Sequence, residues 1–500
     1  MALNSEVKTG LVTAAATLAV GILTLNQALV GVFYDDGLYA GLATALGSGH
    51  GYVHPHLPGL PAAVHYPPLY PIMLAPLFGA LSMPSAAIAG KVLNAILSAA
   101  AAGLIAWHAA KTELLGARIP RWVAGAVVFA AGVAIPALAT QGVLFAEPLF
   151  GVLLAITIVA TDSVSGQGER AWIAGTAAAL ALLTRSIAIA VVAGACCFLL
   201  LRRSPFRVWR ALLLPPLVAA LGWSIWVATH ARGIDPALAL VYGTYSAPLS
   251  QAGLSAVAGN VRDLSRPLEV LAFGWIPLRW LYIALATAAL GVGLYGLALL
   301  SRRSAIGFAL VFYAIILAVW PYPPDRFIWV VLPWIALAWS VGAVELWRRW
   351  PRLRIPVGLL CALVAGGYLH YEFQGFTGRW WDAQARAISA NFAELLPVVN
   401  NLPDSAVVAT DDEALVWLYS RRRSVPLYLE SYHGRELIRP TPAEHRAYLE
   451  RMDVTHVLLA SATSPSATEL RAMIGAYPSL FTAIYRWPDG RWLFAVNRGQ

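Results

Sequence analysis

Long apolar runs, separated by short connections, limit what this chain can build more than any other feature. About 20 predominantly apolar residues in a helix cross a hydrocarbon core. Runs of that order fall at residues 9–32, 84–110, 122–140, 143–161, 171–184, 186–201, 209–230, 274–300, 305–320, 327–347 and 355–371. The pattern predicts a polytopic α-helical membrane protein with about eleven transmembrane helices, 171–184 and 186–201 being the least complete crossings. Composition agrees: 12% of the residues are charged, against roughly 25% in a globular chain, which is too few to cover the molecule in water. No A-x-A-like cleavage site follows the first run, so it reads as a retained helix.

The formal net charge of +9 does not mark a nucleic-acid partner, because the basic residues cluster between apolar runs. Lys111, Arg118 and Arg121 share one connection, and Arg202, Arg203, Arg207 and Arg210 another. Arg302 with Arg303, then Arg348, Arg349, Arg352 and Arg354, make two more. With a cytoplasmic N-terminus, span counting puts all four clusters on the cytoplasmic side, as the positive-inside rule requires. The opposite face then receives a first loop at 33–83 and a second at about 232–273. Cys196, Cys197 and Cys361 all lie in apolar runs, which excludes a disulfide framework or a cysteine-based metal site.

The predicted organisation is a membrane domain at 1–371 and a small extracytoplasmic α/β domain at 372–500, where charge density rises. Ala406–Thr410 and His456–Ala460 read as strands, and Phe481–Trp487 with Trp492–Asn497 as a hairpin about Pro488-Asp489-Gly490. Asp411-Asp412-Glu413 is expected to cap a helix over Ala414–Ser420. In the first loop, 37–47 predicts an interfacial helix and 69–82 an interfacial or re-entrant one.

Candidate chemistry begins at Phe33-Tyr34-Asp35-Asp36-Gly37-Leu38-Tyr39, directly after the first run. Two carboxylates at a membrane exit are costly unless they reach water or a cation. Either Asp35 or Asp36 can serve as a general base when a hydroxyl or amine attacks a sugar C1. Alternatively, both cap the helix that begins near Gly37. Arg185, between two short runs, can bind the phosphate of a lipid carrier, for which a guanidinium is well matched, or pair with Glu147. Arg326 has the same choice with Asp325 beside it. Glu147, followed by Pro148, suits a helix start as well as it suits sugar recognition. His50, His54 and His56, with His65 further on, make a divalent metal ion the one candidate cofactor, although their spacing matches no metal motif. Tyr39, Tyr66, Tyr70, Tyr242 and Tyr245 can stack on a sugar or form an interfacial belt. No Walker A loop, dinucleotide fingerprint or Ser-His-Asp order occurs, which argues against an ATP-driven pump and a Rossmann-type nucleotide-sugar enzyme. No internal repeat is evident, which weighs against inverted-repeat transporters.

In this order the segments resemble the protein O-mannosyltransferase-like and aminoarabinose-transferase-like glycosyltransferases of the GT-C superfamily. Asp35-Asp36-Gly37-Leu38-Tyr39 is similar to their acidic signature, and Tyr66-Pro67-Pro68-Leu69-Tyr70-Pro71 to their Pro-Pro-Leu segment. Phe145-Ala146-Glu147-Pro148-Leu149 resembles their Glu-Pro helix start, Leu183-Thr184-Arg185 their Thr-Arg turn, and Arg326-Phe327-Ile328 with Leu332-Pro333 their Arg-aromatic motif. The resemblance implies a multi-pass enzyme of the bacterial inner (plasma) membrane. It would transfer a sugar from a polyprenyl-phosphate donor, usually with inversion, to a lipid, protein or polysaccharide acceptor at the extracytoplasmic face. Carried over by position, Asp35 becomes the base and Asp36 stands where many relatives have Glu. Arg185 and Arg326 become ligands of the donor phosphate, and Glu147, Tyr66 and Tyr39 substrate contacts. Tyr66 stands where several relatives place a Lys, which leaves His65 as the nearest basic side chain. The competing class is a transporter or flippase of a lipid-linked sugar. A third is a non-catalytic protein whose C-terminal domain binds cell-wall polymer.

Overall fold

The apolar runs form helices in the computed structural model, which describes residues 4–164, 169–244, 257–320, 324–429, 431–433 and 436–497. Six helices among these residues are long and apolar enough to cross a membrane: Ser5–Leu23, Met83–Lys111, Phe206–Gly233, Arg279–Ser301, Asp325–Arg349 and Pro351–Gly378. Arg121–Gly132 and Ile135–Gln141 make a seventh if read as one span bent by 64°. The bend falls in the run expected to be continuous at 122–140. Pro136 cannot supply a helical N–H, and the Glu372 carboxylate instead takes the Ile135 N–H at 3.1 and 3.2 Å. Glu147–Asp162 has only 16 residues, about 24 Å of helix against a core of about 30 Å. The architecture is that of a multi-pass, mainly helical membrane protein with a small C-terminal sheet.

The chain divides into two compact units. One comprises Met1–Asn26, Lys91–Ser224 and Leu254–Asp382. Its helices approach closely through small residues, as membrane helices do when apolar surface alone gives no drive to associate. A Cβ on Gly296 would stand 1.9 Å from the Ala338 carbonyl oxygen, so a side chain there would force Arg279–Ser301 and Asp325–Arg349 apart. Asp162 pins three helices of this unit. Its carboxylate accepts the Ala305 N–H at 2.7 Å, lies 2.9 Å from His108 Nε2, and is hydrogen-bonded by the Ser304 hydroxyl.

The other unit comprises Gln27–Gly90, Ile225–Gly253 and Ala383–Gln500. Its strands are β1 (Val407–Thr410), β2 (Arg423–Pro426), β3 (Ser431–His433), β4 (Glu436–Ile438), β5 (His456–Leu459), β6 (Phe481–Arg486) and β7 (Trp492–Val496). Five of them form a sheet in the order β2-β1-β5-β7-β6, parallel across β2, β1 and β5 and antiparallel beyond. β1 is buried along its whole length, as a central strand with two neighbours and covered faces must be. Both expected strands and the hairpin are present. The helix after β1 starts one residue early, at Glu413, and carries no side-chain cap, so Asp411 and Asp412 are not its caps. In the first loop the helix Asp35–Gly47 is buried continuously from Asp36 to Ala45. It packs against Leu69–Ala80, where a Cβ on Gly47 would meet the Ala75 carbonyl oxygen at 2.6 Å. Both helices are therefore components of a folded unit.

Candidate active site

The acidic pair is prepared by a strained turn. Tyr34 has φ 65° and ψ −72°, and the Asp35 N–H donates to the Phe33 carbonyl at 2.7 Å. This is a γ-turn with positive φ, a form that residues with a Cβ rarely adopt. It separates the fates of the two carboxylates. Asp36 is 1% exposed and accepts the N–H groups of Gly31 and Phe33 at 2.8 and 2.9 Å. Its carboxylate thus ties the turn in front of it and does not cap the helix behind it. Asp35 stays half-buried and accepts the Tyr66 hydroxyl at 2.6 Å.

The rings around Asp35 correct an expectation. Tyr39, Tyr70 and Tyr242 are buried, so they serve as packing and not as an interfacial belt or an open sugar platform. Tyr39 meets Tyr66 and Tyr70 edge to face at 5.0 and 5.1 Å, an arrangement that fixes the Tyr66 ring. Tyr52 donates to the Tyr66 carbonyl at 2.8 Å. The fifth tyrosine of that group, Tyr245, lies outside the described residues.

The histidines do not assemble as metal ligands. His50 is exposed, whereas His54, His56 and His65 are buried. No group of three His, Cys, Asp or Glu among the described residues is placed to hold a metal ion. His65 Nδ1 donates to the Gly243 carbonyl at 2.8 Å, and burial lowers its basicity below the usual imidazole range. A neutral imidazole is a poor replacement for the Lys of the relatives. Burial holds the His56 pKa at about 3 and that of His54 well below the ordinary value. His56 Nε2 lies 2.9 Å from the Tyr242 hydroxyl, which donates in turn to Glu413.

Glu413, wholly buried, is pushed up to about 8, by burial first. The groups facing it are Tyr34, Tyr242, Tyr448 and Asp412. Burial and the nearby Asp411 and Asp36 carboxylates raise Asp412 to about 7. Both acids hold a proton in the folded state that the unfolded chain releases at lower pH. The Glu413 contribution to stability is therefore full below about pH 4.5 and lost as pH rises through about 8. Glu413→Gln keeps a neutral acceptor for Tyr242 but cannot ionise. Thermal unfolding should show a smaller loss of Tm between pH 6 and pH 9 in Glu413→Gln than in the wild type; equal losses would count against a protonated Glu413.

A second group of functional side chains belongs to the other unit. The segment before Glu147 is fixed from the helix Met83–Lys111. Asn94 Nδ2 donates to the Val143 and Phe145 carbonyls at 2.8 and 3.2 Å. Lys91 Nζ donates to Asn26 Oδ1 at 2.9 Å, and Asn26 Nδ2 to the Gly142 carbonyl at 3.0 Å. Glu147 then opens the helix Glu147–Asp162 with its carboxylate 3% exposed. Arg185 Nη1 lies 2.7 Å from Glu147 Oε1, and Arg326 Nε 2.9 Å from the same oxygen. Arg185 reaches it from the break between the helices Glu169–Leu182 and Ile189–Leu201. Arg185 also lies over the Phe327 ring at 4.6 Å and Arg326 over the Phe145 ring at 4.4 Å, contacts that suit a weakly hydrated guanidinium. The ion pair weighed for Arg185 is thus present. Arg326 pairs with Glu147, while its neighbour Asp325 is exposed. Both guanidiniums thus meet the same Glu147 oxygen. Beside Glu147 lies a cavity lined by Ile105, Thr140, Gln141, Trp329 and Pro333.

Lys91 and Asn94 are not singled out by the sequence, where Glu413 reads only as one of three capping acids. A lysine and an asparagine inside an otherwise apolar run were the available signal for the first two. For Glu413 nothing local distinguished it from a capping acid.

No family model matches the chain, and no curated protein does. Solved structures match over nearly its whole length. ArnT from Cupriavidus metallidurans bound to undecaprenyl phosphate has 16% identity and a TM-score of 0.52, over 98% of this chain and 98% of that one. The same protein in the apo state has 15% identity and a TM-score of 0.56, over 97% of each chain. The Archaeoglobus fulgidus oligosaccharyltransferase, crystallised with Zn and sulfate, has 15% identity and a TM-score of 0.54, over 98% of this chain and 73% of that one. At 15–16% identity these likenesses show the fold: the chain shares it over nearly its whole length with ArnT and with the archaeal oligosaccharyltransferase, relatives of the kind the sequence motifs resemble.

Proposed function

We propose that this chain is an integral-membrane glycosyltransferase. It moves a sugar from a polyprenyl-phosphate-linked donor to a lipid, protein or polysaccharide acceptor at the extracytoplasmic face of the inner membrane, with Asp35 as general base. The observation that carries the reading is the division of labour in the acidic pair. The backbone N–H groups of Gly31 and Phe33 occupy Asp36, while Asp35 is half-buried and held by the Tyr66 hydroxyl. A positioned carboxylate with one oriented hydrogen bond is what proton abstraction from an acceptor requires.

In this mechanism the acceptor oxygen or nitrogen attacks the sugar C1 and its proton passes to Asp35. The C1–O bond to phosphate breaks, and polyprenyl phosphate leaves with the bonding pair. Arg185 and Arg326 stabilise the phosphate as its charge grows. Support for the donor class comes from the solved relatives: ArnT was crystallised with undecaprenyl phosphate and the archaeal enzyme AglB with a dolichol-phosphate.

Tyr66→Phe tests the role of the hydroxyl. A hydrogen bond to a charged group contributes about 1.5–3 kcal/mol, so kcat should fall by about tenfold to a hundredfold. The kcat–pH profile of the variant, set against that of the wild type, reads the loss. An unchanged profile would remove Tyr66 from the mechanism.

A further inference from the structure

The base loop is suspended from the C-terminal domain. Within their common unit, the Leu29 N–H donates to Ser389 Oγ at 2.8 Å and the Val30 N–H to the Tyr419 hydroxyl at 3.0 Å. Gly31 follows with φ 99°, and a Cβ on it would stand 2.7 Å from Leu415 Cβ and 2.8 Å from Leu415 Cα. The chain lies directly on the helix Glu413–Ser420, so closely that only glycine fits. Gly37 repeats the contact directly after the acids: its Cβ would meet Ala414 Cβ at 3.0 Å and Gly31 Cα at 2.8 Å. Between these anchors lie the γ-turn at Tyr34 and both carboxylates.

A second set of ties reaches the same helix start. The Ser424 N–H donates to the His56 carbonyl at 2.9 Å, and the Ser424 hydroxyl to the Glu413 carbonyl. The side chains of His56, Tyr242 and Glu413 continue the chain of contacts. Tyr242 also meets the Tyr34 ring edge to face at 6.4 Å. A γ-turn with positive φ persists only when its surroundings over-determine it. Here the surroundings are supplied by residues far along the sequence: the Leu29–Ser389 bond spans 360 positions and the Val30–Tyr419 bond 389.

We propose that the helix Glu413–Ser420 of the C-terminal domain is a positioning element that sets the strained Asp35 turn, with Tyr419 and Ser389 as positioning residues. This inference rests on the transferase reading for its kinetic consequence but not for its structural one. The domain is then a part of the catalytic apparatus, whatever it contributes to acceptor choice. Without these ties the turn relaxes, and a base displaced by about 1 Å can cost up to a hundredfold in rate.

The test uses the full chain in lipid nanodiscs, comparing wild type, Tyr419→Phe and the double variant Ser389→Ala/Tyr419→Phe. In the double variant kcat should fall about tenfold, with the donor KM within about twofold of wild type. Hydrogen exchange should accelerate at the Gly31, Phe33 and Asp35 amides, none of which is bonded to either substituted side chain, while β1 and β5 stay protected. Unchanged kcat and unchanged exchange at those amides would overturn the proposal. Acceleration spread equally through β1 and β5, with kcat falling only with the folded fraction, would also overturn it, since the two residues would then merely hold the domain together. Gly31→Ala, which attacks the same contact from the loop side, should reproduce the kinetic split. If the wild type transfers no sugar at all, the transferase reading fails; the exchange comparison still decides whether the domain holds the turn.

Discussion

Asp35→Asn should reduce sugar transfer by about a hundredfold to ten-thousandfold, the range for loss of a positioned general base, while donor affinity stays within about threefold. The substitution is close to isosteric, and the amide oxygen can still accept the Tyr66 hydroxyl that now lies 2.6 Å from Asp35. Only basicity is lost. Single-turnover transfer rates alongside a direct donor-binding titration separate the two effects. Asp36→Asn makes the contrast. Its carboxylate takes two backbone N–H groups, and an amide can present an oxygen to only one of them. The other is left buried and unmet at a cost of about 1–3 kcal/mol, read as a lower Tm. If Asp36→Asn were the catalytically dead variant and Asp35→Asn the merely unstable one, the assignment within the pair would be reversed.

The second large effect is expected at Glu147. Its carboxylate is nearly inaccessible and holds Arg185 and Arg326 at 2.7 and 2.9 Å. Glu147→Ala removes the carboxylate that both guanidiniums pair with. Removing one partner of a buried pair costs about 3–5 kcal/mol, and the lower end applies here because Arg326 is partly solvated and screened. Arg185→Ala should behave differently. The remaining Arg326–Glu147 pair is neutral, so stability changes little, while donor KM rises by about tenfold or more as the charge available to a phosphate disappears. Tm and donor KM, measured on both variants, should therefore move in opposite patterns. A Glu147→Ala protein as stable as wild type would show that the carboxylate is not the counter-charge of this cluster.

The parts of the fold that were legible in the sequence are those with local causes. The apolar runs became helices because chain length and hydropathy decide that within one segment. The strands around Val408 and Val457 and the hairpin about Asp489 followed from β-branched runs and turn residues. The acids and arginines at positions 35, 36, 147, 185 and 326 stood out because charge next to an apolar run is costly. What those residues do with their charge was not legible, because their partners are distant in sequence. Glu147 looks like a helix-start acid until Arg185 and Arg326 are brought to it. Asp36 looks like a cap until the Tyr34 turn reverses the chain and presents the Gly31 and Phe33 amides. Burial lowers the basicity of His54, His56 and His65, and composition carries no signal of that. The break at Ala134, in a run that reads as continuous, depends on Glu372 arriving from another helix to take the Ile135 N–H.

The central claim is bond cleavage at the sugar C1, and one measurement bears on it most directly. The purified protein is placed in proteoliposomes with a polyprenyl-phosphate sugar labelled in both sugar and lipid, and supplied with a membrane-extract acceptor. A transferase predicts free polyprenyl phosphate appearing one for one with label in the acceptor fraction, and neither product with Asp35→Asn. Recovery of intact donor, moved between leaflets at the same rate by wild type and Asp35→Asn, would contradict the account and identify a flippase.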